Sequence, residues 1–169
     1  MVTDDVEAAA ALWPPQGPLI GLDLGTKTLG LAVSDGLRLS ANPLETLRRR
    51  KFTQDAEQLE AVIAARGVGG VVLGLPRNME GDEGPRAQST RAFARNLSNR
   101  PGFAEAIPAI LLWDERLSTV AVERTLLEAD ASRLRRAAVI DKLAAAYILQ
   151  GALERLRHLR GAPDQADEL

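Results

Sequence analysis

The pattern of apolar and polar positions changes period along the chain, and that change predicts the architecture. PLIGLDLG (18–25) is apolar except for one acid, as expected of a buried strand that presents a single polar side chain. Gly25-Thr26-Lys27 makes a turn, LGLAVSD (29–35) reads as the returning antiparallel strand, and a third strand covers 43–47, so the three predict a β-meander. Helix and strand then alternate. Ala56, Leu59, Val62 and Ile63 fall at helical spacing within 53–66, and Gly67 and Gly69 end that helix. VVLG (71–74) is a further buried strand, and GLPRNMEGDEG (74–84), with three glycines and a proline, is a loop. A helix over 85–98 carries Pro85 in its first turn, with Ala87, Thr90, Ala94 and Leu97 on one face and Gln88, Arg91 and Arg95 on another. AILLW (109–113) is the last strand and runs into Asp114-Glu115-Arg116. Ser118 then caps a helix over 119–129, and a long helix fills 134–159. This order predicts an α/β fold with a mixed five-stranded sheet, β-meander then βαβαβ, flanked by helices. Right-handed crossovers make the later strands parallel to the first.

The breakers Pro14-Pro15 and Gly17-Pro18 mark residues 1–18 as a flexible leader, with Trp13 tucked onto the domain; 19–160 form that domain and 161–169 an acidic tail. One domain suits 169 residues, and 46% apolar with only 4% aromatic content suits helices packed on a sheet. With no cysteine, thiolate nucleophiles, disulfides and cysteine-bound metals are excluded, and the single His158, read as a surface residue, excludes any site needing two. Chemistry must therefore run on carboxylates, hydroxyls, Lys, Arg and bound ions. No segment approaches the apolar length of a membrane span, and acids stand where a secretory signal carries positive charge, so a cytoplasmic location is expected.

The net charge of −2 conceals an uneven distribution. Asp4, Asp5 and Glu7 at one end and Asp164, Asp167 and Glu168 at the other leave 17 acids against 21 bases in between. Arg48-Arg49-Arg50-Lys51 and the group Arg133, Arg135, Arg136 are the basic concentrations. Such a body permits a polyanionic partner, although solvated surface charge explains it equally well.

Three acids stand out. Alternation places Ile20, Leu22 and Leu24 on one face of their strand and Gly21, Asp23 and Gly25 on the other, where small neighbours leave room around the Asp23 carboxylate. A structural Asp bonded to the following turn is the plainer reading. Asp114 and Glu115 leave the sheet where ligands of open α/β sheets gather; they point in opposite directions, and the pattern does not choose between them. Asp141 interrupts the apolar helical stretch AAVIDKLAAAYILQ and borders its core-facing stripe, or else serves as a helix cap or first-turn acid. Gathered at one sheet edge, three carboxylates repel one another unless a hard cation joins them, and Mg²⁺ or Mn²⁺ on oxygen ligands is what phosphate chemistry uses.

GLDLGTKTLGLAVSD, VVLGLPRNMEGDEGPRAQSTRAFA, WDERLST and IDKLAAAYILQ, in this order, resemble the YqgF/RuvX family over roughly residues 18–153. The resemblance implies an RNase H-like fold related to Holliday-junction resolvases, and a nuclease that matures the 5′ end of pre-16S ribosomal RNA. It also implies Asp23, Glu115 and Asp141 as the catalytic, metal-holding acids, and 74–84 as a loop facing substrate. Lys27 and Arg116 are near enough in motif to contact phosphate, and Arg77, Arg86 and Arg91 are candidates to track a nucleic-acid backbone. Only Arg133, Arg135 and Arg136 precede the final helix, where family members often have a longer basic cluster. The alternatives are a resolvase of branched DNA, a non-catalytic RNA-binding module of the same fold, and, from Asp-Leu-Gly-Thr-Lys-Thr, an actin-like ATPase. The last needs a second domain and a second phosphate turn, which the sequence does not supply.

Overall fold

The computed structural model describes residues 1–117 and 133–167, with side chains for 1–117 and 139–161. Its elements are β1 (Val2–Thr3), α1 (Val6–Leu12), β2 (Leu19–Leu24), β3 (Thr28–Ser34), β4 (Ala41–Arg48), α2 (Phe52–Arg66), β5 (Gly70–Leu75), α3 (Pro85–Ser98), α4 (Phe103–Ala106), β6 (Ile110–Asp114) and α5 (Arg133–Asp167). A 3-10 turn, Glu115–Leu117, follows β6. The expected helix over 119–129 and its Ser118 cap lie outside the described residues. The side chains of Arg133, Arg135 and Arg136 do too.

The sheet order is β1-β6-β5-β2-β3-β4. β2, β3 and β4 form the antiparallel meander, while β5 lies parallel to β2, and β6 parallel to β5. Each face of the sheet buries its own apolar set. Ile20, Leu22, Leu31, Leu73 and Leu112 pack against Ala56, Leu59 and Ile63 of α2 and Ala94 and Leu97 of α3. Leu19, Ala32, Val72 and Leu111 pack against Ala145, Ile148 and Leu149 of α5. Helix α2 ends where Gly67 takes the left-handed conformation, φ +64°, and the Val68 N–H donates back to Ile63 at 3.0 Å.

Two expectations are corrected. The sheet has six strands, not five, because residues 1–18 are not a flexible leader. Val2 and Thr3 pair in parallel with Ile110 and Leu111 as an edge strand. Asp5 then caps α1 by accepting from the Glu7 N–H at 2.9 Å. Trp13 is buried and its indole N–H donates to the Ala109 carbonyl at 2.8 Å. Its ring lies so close over Gly70 that a Cβ there would stand 2.6 Å from the indole. Helix α5 also continues to Asp167, into the segment expected as an acidic tail.

Candidate active site

Asp23 stands one residue before the end of β2, on the face that α5 covers, and is only 3% exposed. Burying a carboxylate there requires compensating contacts and space, and glycines supply the space. Cross-strand from Asp23 lies Gly30 of β3. A Cβ on Gly30 would collide with the main-chain carbonyl of Asp141, so α5 can lie against the sheet here only because that side chain is missing. One step earlier on β2, Gly21 permits the same closeness: a Cβ would come within 2.7 Å of the Ala145 carbonyl oxygen and of Leu149 Cβ.

On the other side of β2, Leu22 pairs with Leu73, which places Gly74 beside Asp23. A Cβ on Gly74 would collide with Ile148 and lie 2.9 Å from Glu115 Oε1. Glycines on both neighbouring strands thus flank Asp23, with Asp141 above one and Glu115 above the other. Strand ends, turns and one close-packed helix bring the three predicted acids to one face, at the carboxyl edge of β2, β5 and β6.

Asp141 is neither a cap nor a first-turn acid, since α5 begins eight residues earlier at Arg133. It is half-buried, and the Thr28 hydroxyl donates to its Oδ2. Thr28 is a site residue that the sequence pattern did not single out. The choice between Asp114 and Glu115 follows from strand parity. Leu112 faces α2 and α3, and Asp114 shares that face; Trp113 faces α5, and Glu115 follows it to the Asp23 side. Asp114 accepts from Arg116 Nη2 at 2.6 Å and from the Arg116 backbone N–H at 3.0 Å. These bonds hold its carboxyl below the usual carboxylate range against the opposing effect of burial.

The predicted phosphate contacts divide into two groups. Arg77, Arg91 and Arg116 are held by acids. Arg91 forms a two-pronged pair with Glu83, at 2.5 and 2.8 Å, and reaches Asp4 at 3.2 Å. Arg77 lies 3.5 Å from Asp4, 3.7 Å from Glu83 and 4.0 Å from Asp114. The bond from Arg91 holds Glu83 below the usual carboxylate range. Lys27, in the β2–β3 turn, and Arg86, in the first turn of α3, are exposed and make no ion pair among the described residues.

Carboxylates are the donors that Asp23, Glu115 and Asp141 offer, which suits a hard divalent ion, and the glycines at 30 and 74 let the two outer acids approach the sheet beside Asp23. As the side chains stand, no three acids among the described residues are gathered closely enough to hold an ion.

Residues 17–155 match the RuvX family, described as Holliday junction resolvase. A protein of Jannaschia sp. (strain CCS1) named "Putative pre-16S rRNA nuclease" is 61% identical over 160 residues, covering 95% of this chain and 99% of that protein. A relative of the same name from Cereibacter sphaeroides (strain ATCC 17025 / ATH 2.4.3) is 63% identical over 157 residues, covering 92% and 94%. Among solved structures, T. thermophilus RuvC in complex with a Holliday junction substrate superposes with a TM-score of 0.51 at 14% identity, over 83% of this chain and 96% of that one. That likeness bears on the fold, which is RNase H-like. With the family matched over most of the chain, and relatives about 60% identical over nearly all of it, this chain belongs to the RuvX family.

Proposed function

We propose that this protein is a metal-dependent nuclease that processes the 5′ end of pre-16S rRNA. The observation that carries the reading is the placement of Asp23, Glu115 and Asp141 on one face, over a cradle in which Gly30 and Gly74 admit the two outer acids. The shared name of relatives about 60% identical over nearly the whole chain supports the substrate. Asp23, Glu115 and Asp141 are the residues that would hold Mg²⁺ or Mn²⁺. A divalent ion there supplies charge stabilisation to a phosphodiester as it is hydrolysed. The chain's own part is to fix the acids. Asp23 is held rigid by the sheet, Asp141 is oriented by Thr28, and Glu115 by the turn that closes β6. Lys27, on the turn directly after β2, is placed to meet a backbone phosphate. Among the described residues no helix is long and apolar enough to cross a membrane.

Cleavage of a labelled precursor-rRNA 5′ fragment and of a four-way DNA junction, with Mg²⁺ or Mn²⁺, tests the proposal. Metal-dependent cutting of the RNA, abolished by EDTA and by Asp23→Asn, is the expected result. Preferred cutting of the junction would instead favour the resolvase reading, which the family's description supports. Folded protein that binds RNA yet cuts neither substrate would show a binding module of the same fold.

A further inference from the structure

The run Arg48-Arg49-Arg50-Lys51 joins β4 to α2, and its members do different things. Arg49 turns into the fold. Its Nη1 donates to the Gly25 carbonyl at 2.6 Å and its backbone N–H to the Lys27 carbonyl at 2.8 Å, so it ties β4 to the turn that follows Asp23. Behind it stands Asp55, only 2% exposed, 3.9 Å from Arg49 Nε and accepting from the Arg50 N–H at 2.8 Å. Arg48, Arg50 and Lys51 remain exposed, as does Lys27 across the turn. None of these four makes an ion pair among the described residues.

The position of Arg48 relative to the acids is set by register. Arg48 pairs cross-strand with Thr28, the residue that holds Asp141, so Arg48 lies on the same sheet face as Asp23 and Asp141. On the opposite flank, formed by the N-terminal segment, the 76–84 loop and α3, Arg77, Arg91 and Arg116 are matched by Asp4, Glu83 and Asp114. A strand of phosphates gains by releasing counterions onto unpaired cations, and gains much less where each guanidinium already has a carboxylate.

We propose that Lys27, Arg48, Arg50 and Lys51 form the ledge that grips the nucleic-acid strand beside the scissile phosphate, and that the acid-paired Arg77, Arg91 and Arg116 do not. The inference rests on the nuclease reading and names the side of the acid cluster on which the substrate backbone runs. It also gives Arg49 a role, as the inward anchor that holds the ledge against the active-site turn.

The test is equilibrium binding of a fluorescent precursor-rRNA fragment, and of a four-way DNA junction, to protein in EDTA across a salt series. The K27Q/R48Q/R50Q/K51Q variant should flatten the slope of log K against log salt by about 3 on single-stranded RNA, and weaken binding about 100-fold at 0.1 M salt. All four side chains are exposed, and an unchanged melting temperature checks that the variant folds. The E83Q/R91Q variant removes one charge of each sign from the opposite flank and should leave slope and affinity within about twofold of wild type. A slope that survives the quadruple change, or that falls with E83Q/R91Q, overturns the ledge and leaves the nuclease reading intact. A wild-type protein that binds neither nucleic acid overturns both.

Discussion

The two flanks of Asp23 are built from similar side chains and end in different electrostatic states. On the β5–β6 side, three arginines meet three acids drawn from the N-terminal segment, the 76–84 loop and β6, and the result is a set of cross-linked ion pairs. On the β3–β4 side, one arginine is drawn inward by Asp55 and the rest of the basic run is left facing water. The same split holds for the glycines. Gly30 makes room for the main chain of a helix, whereas Gly74 makes room for the ends of two side chains. Charge count and residue type therefore say little about a flank until the partners are known.

The sharpest way to break the comparison is at those glycines. Gly30→Ala sets a Cβ against the Asp141 carbonyl, which cannot rotate away, so α5 must shift and carry Asp141 with it. We expect cleavage to fall by more than 100-fold and stability by roughly 1–3 kcal/mol. Gly74→Ala meets the flexible ends of Ile148 and Glu115, and should cost less on both measures. Equal losses in single-turnover cleavage and thermal melts would show that the flanks are equally rigid.

A smaller effect is expected from Thr28→Val, which keeps the shape and removes the hydroxyl that orients Asp141. Outer hydrogen bonds of this kind typically govern one to two orders of magnitude in metal affinity or activity. The expected outcome is about a 10-fold loss of kcat and a higher requirement for Mg²⁺, with Thr28→Ser restoring most of it.

The mildest contrast concerns pH. Arginines hold Asp114 and Glu83 below the usual carboxylate range, so the paired flank contributes stability at neutral pH. That contribution is fully present above about pH 4 and is lost as pH falls through the depressed values. Melting temperatures of the D114N/E83Q variant should therefore converge on wild type as the solution is acidified, whereas those of K27Q/R48Q should run parallel to wild type throughout.

Much of this fold could be read from local pattern. Helix α3 was expected over 85–98 and occupies Pro85–Ser98, because Pro85 fixes its start and the apolar spacing its length. β2 was legible because one acid in an apolar run leaves few alternatives. β1 was not: two residues cannot show an alternation, and their partners Ile110 and Leu111 lie far along the chain. The acids were visible as candidates, yet the pattern alone left Glu115 and Asp114 open: the resemblance pointed to Glu115, and its physical reason is that Trp113, not Leu112, faces α5. Least legible was the reach of Arg91 to Asp4, which stands 87 residues away in the chain.

That distant pairing of the N-terminal segment also bears on how the chain is made. Trp13 and its acceptor Ala109 are 96 residues apart, so a ribosome adding roughly 5–20 residues per second must work for several seconds before β6 exists for β1 and Trp13 to dock upon. During that interval the indole and α1 have no finished surface to cover them. The segment of β1, α1 and Trp13 is thus seated only once β6 has been made, well after its own synthesis.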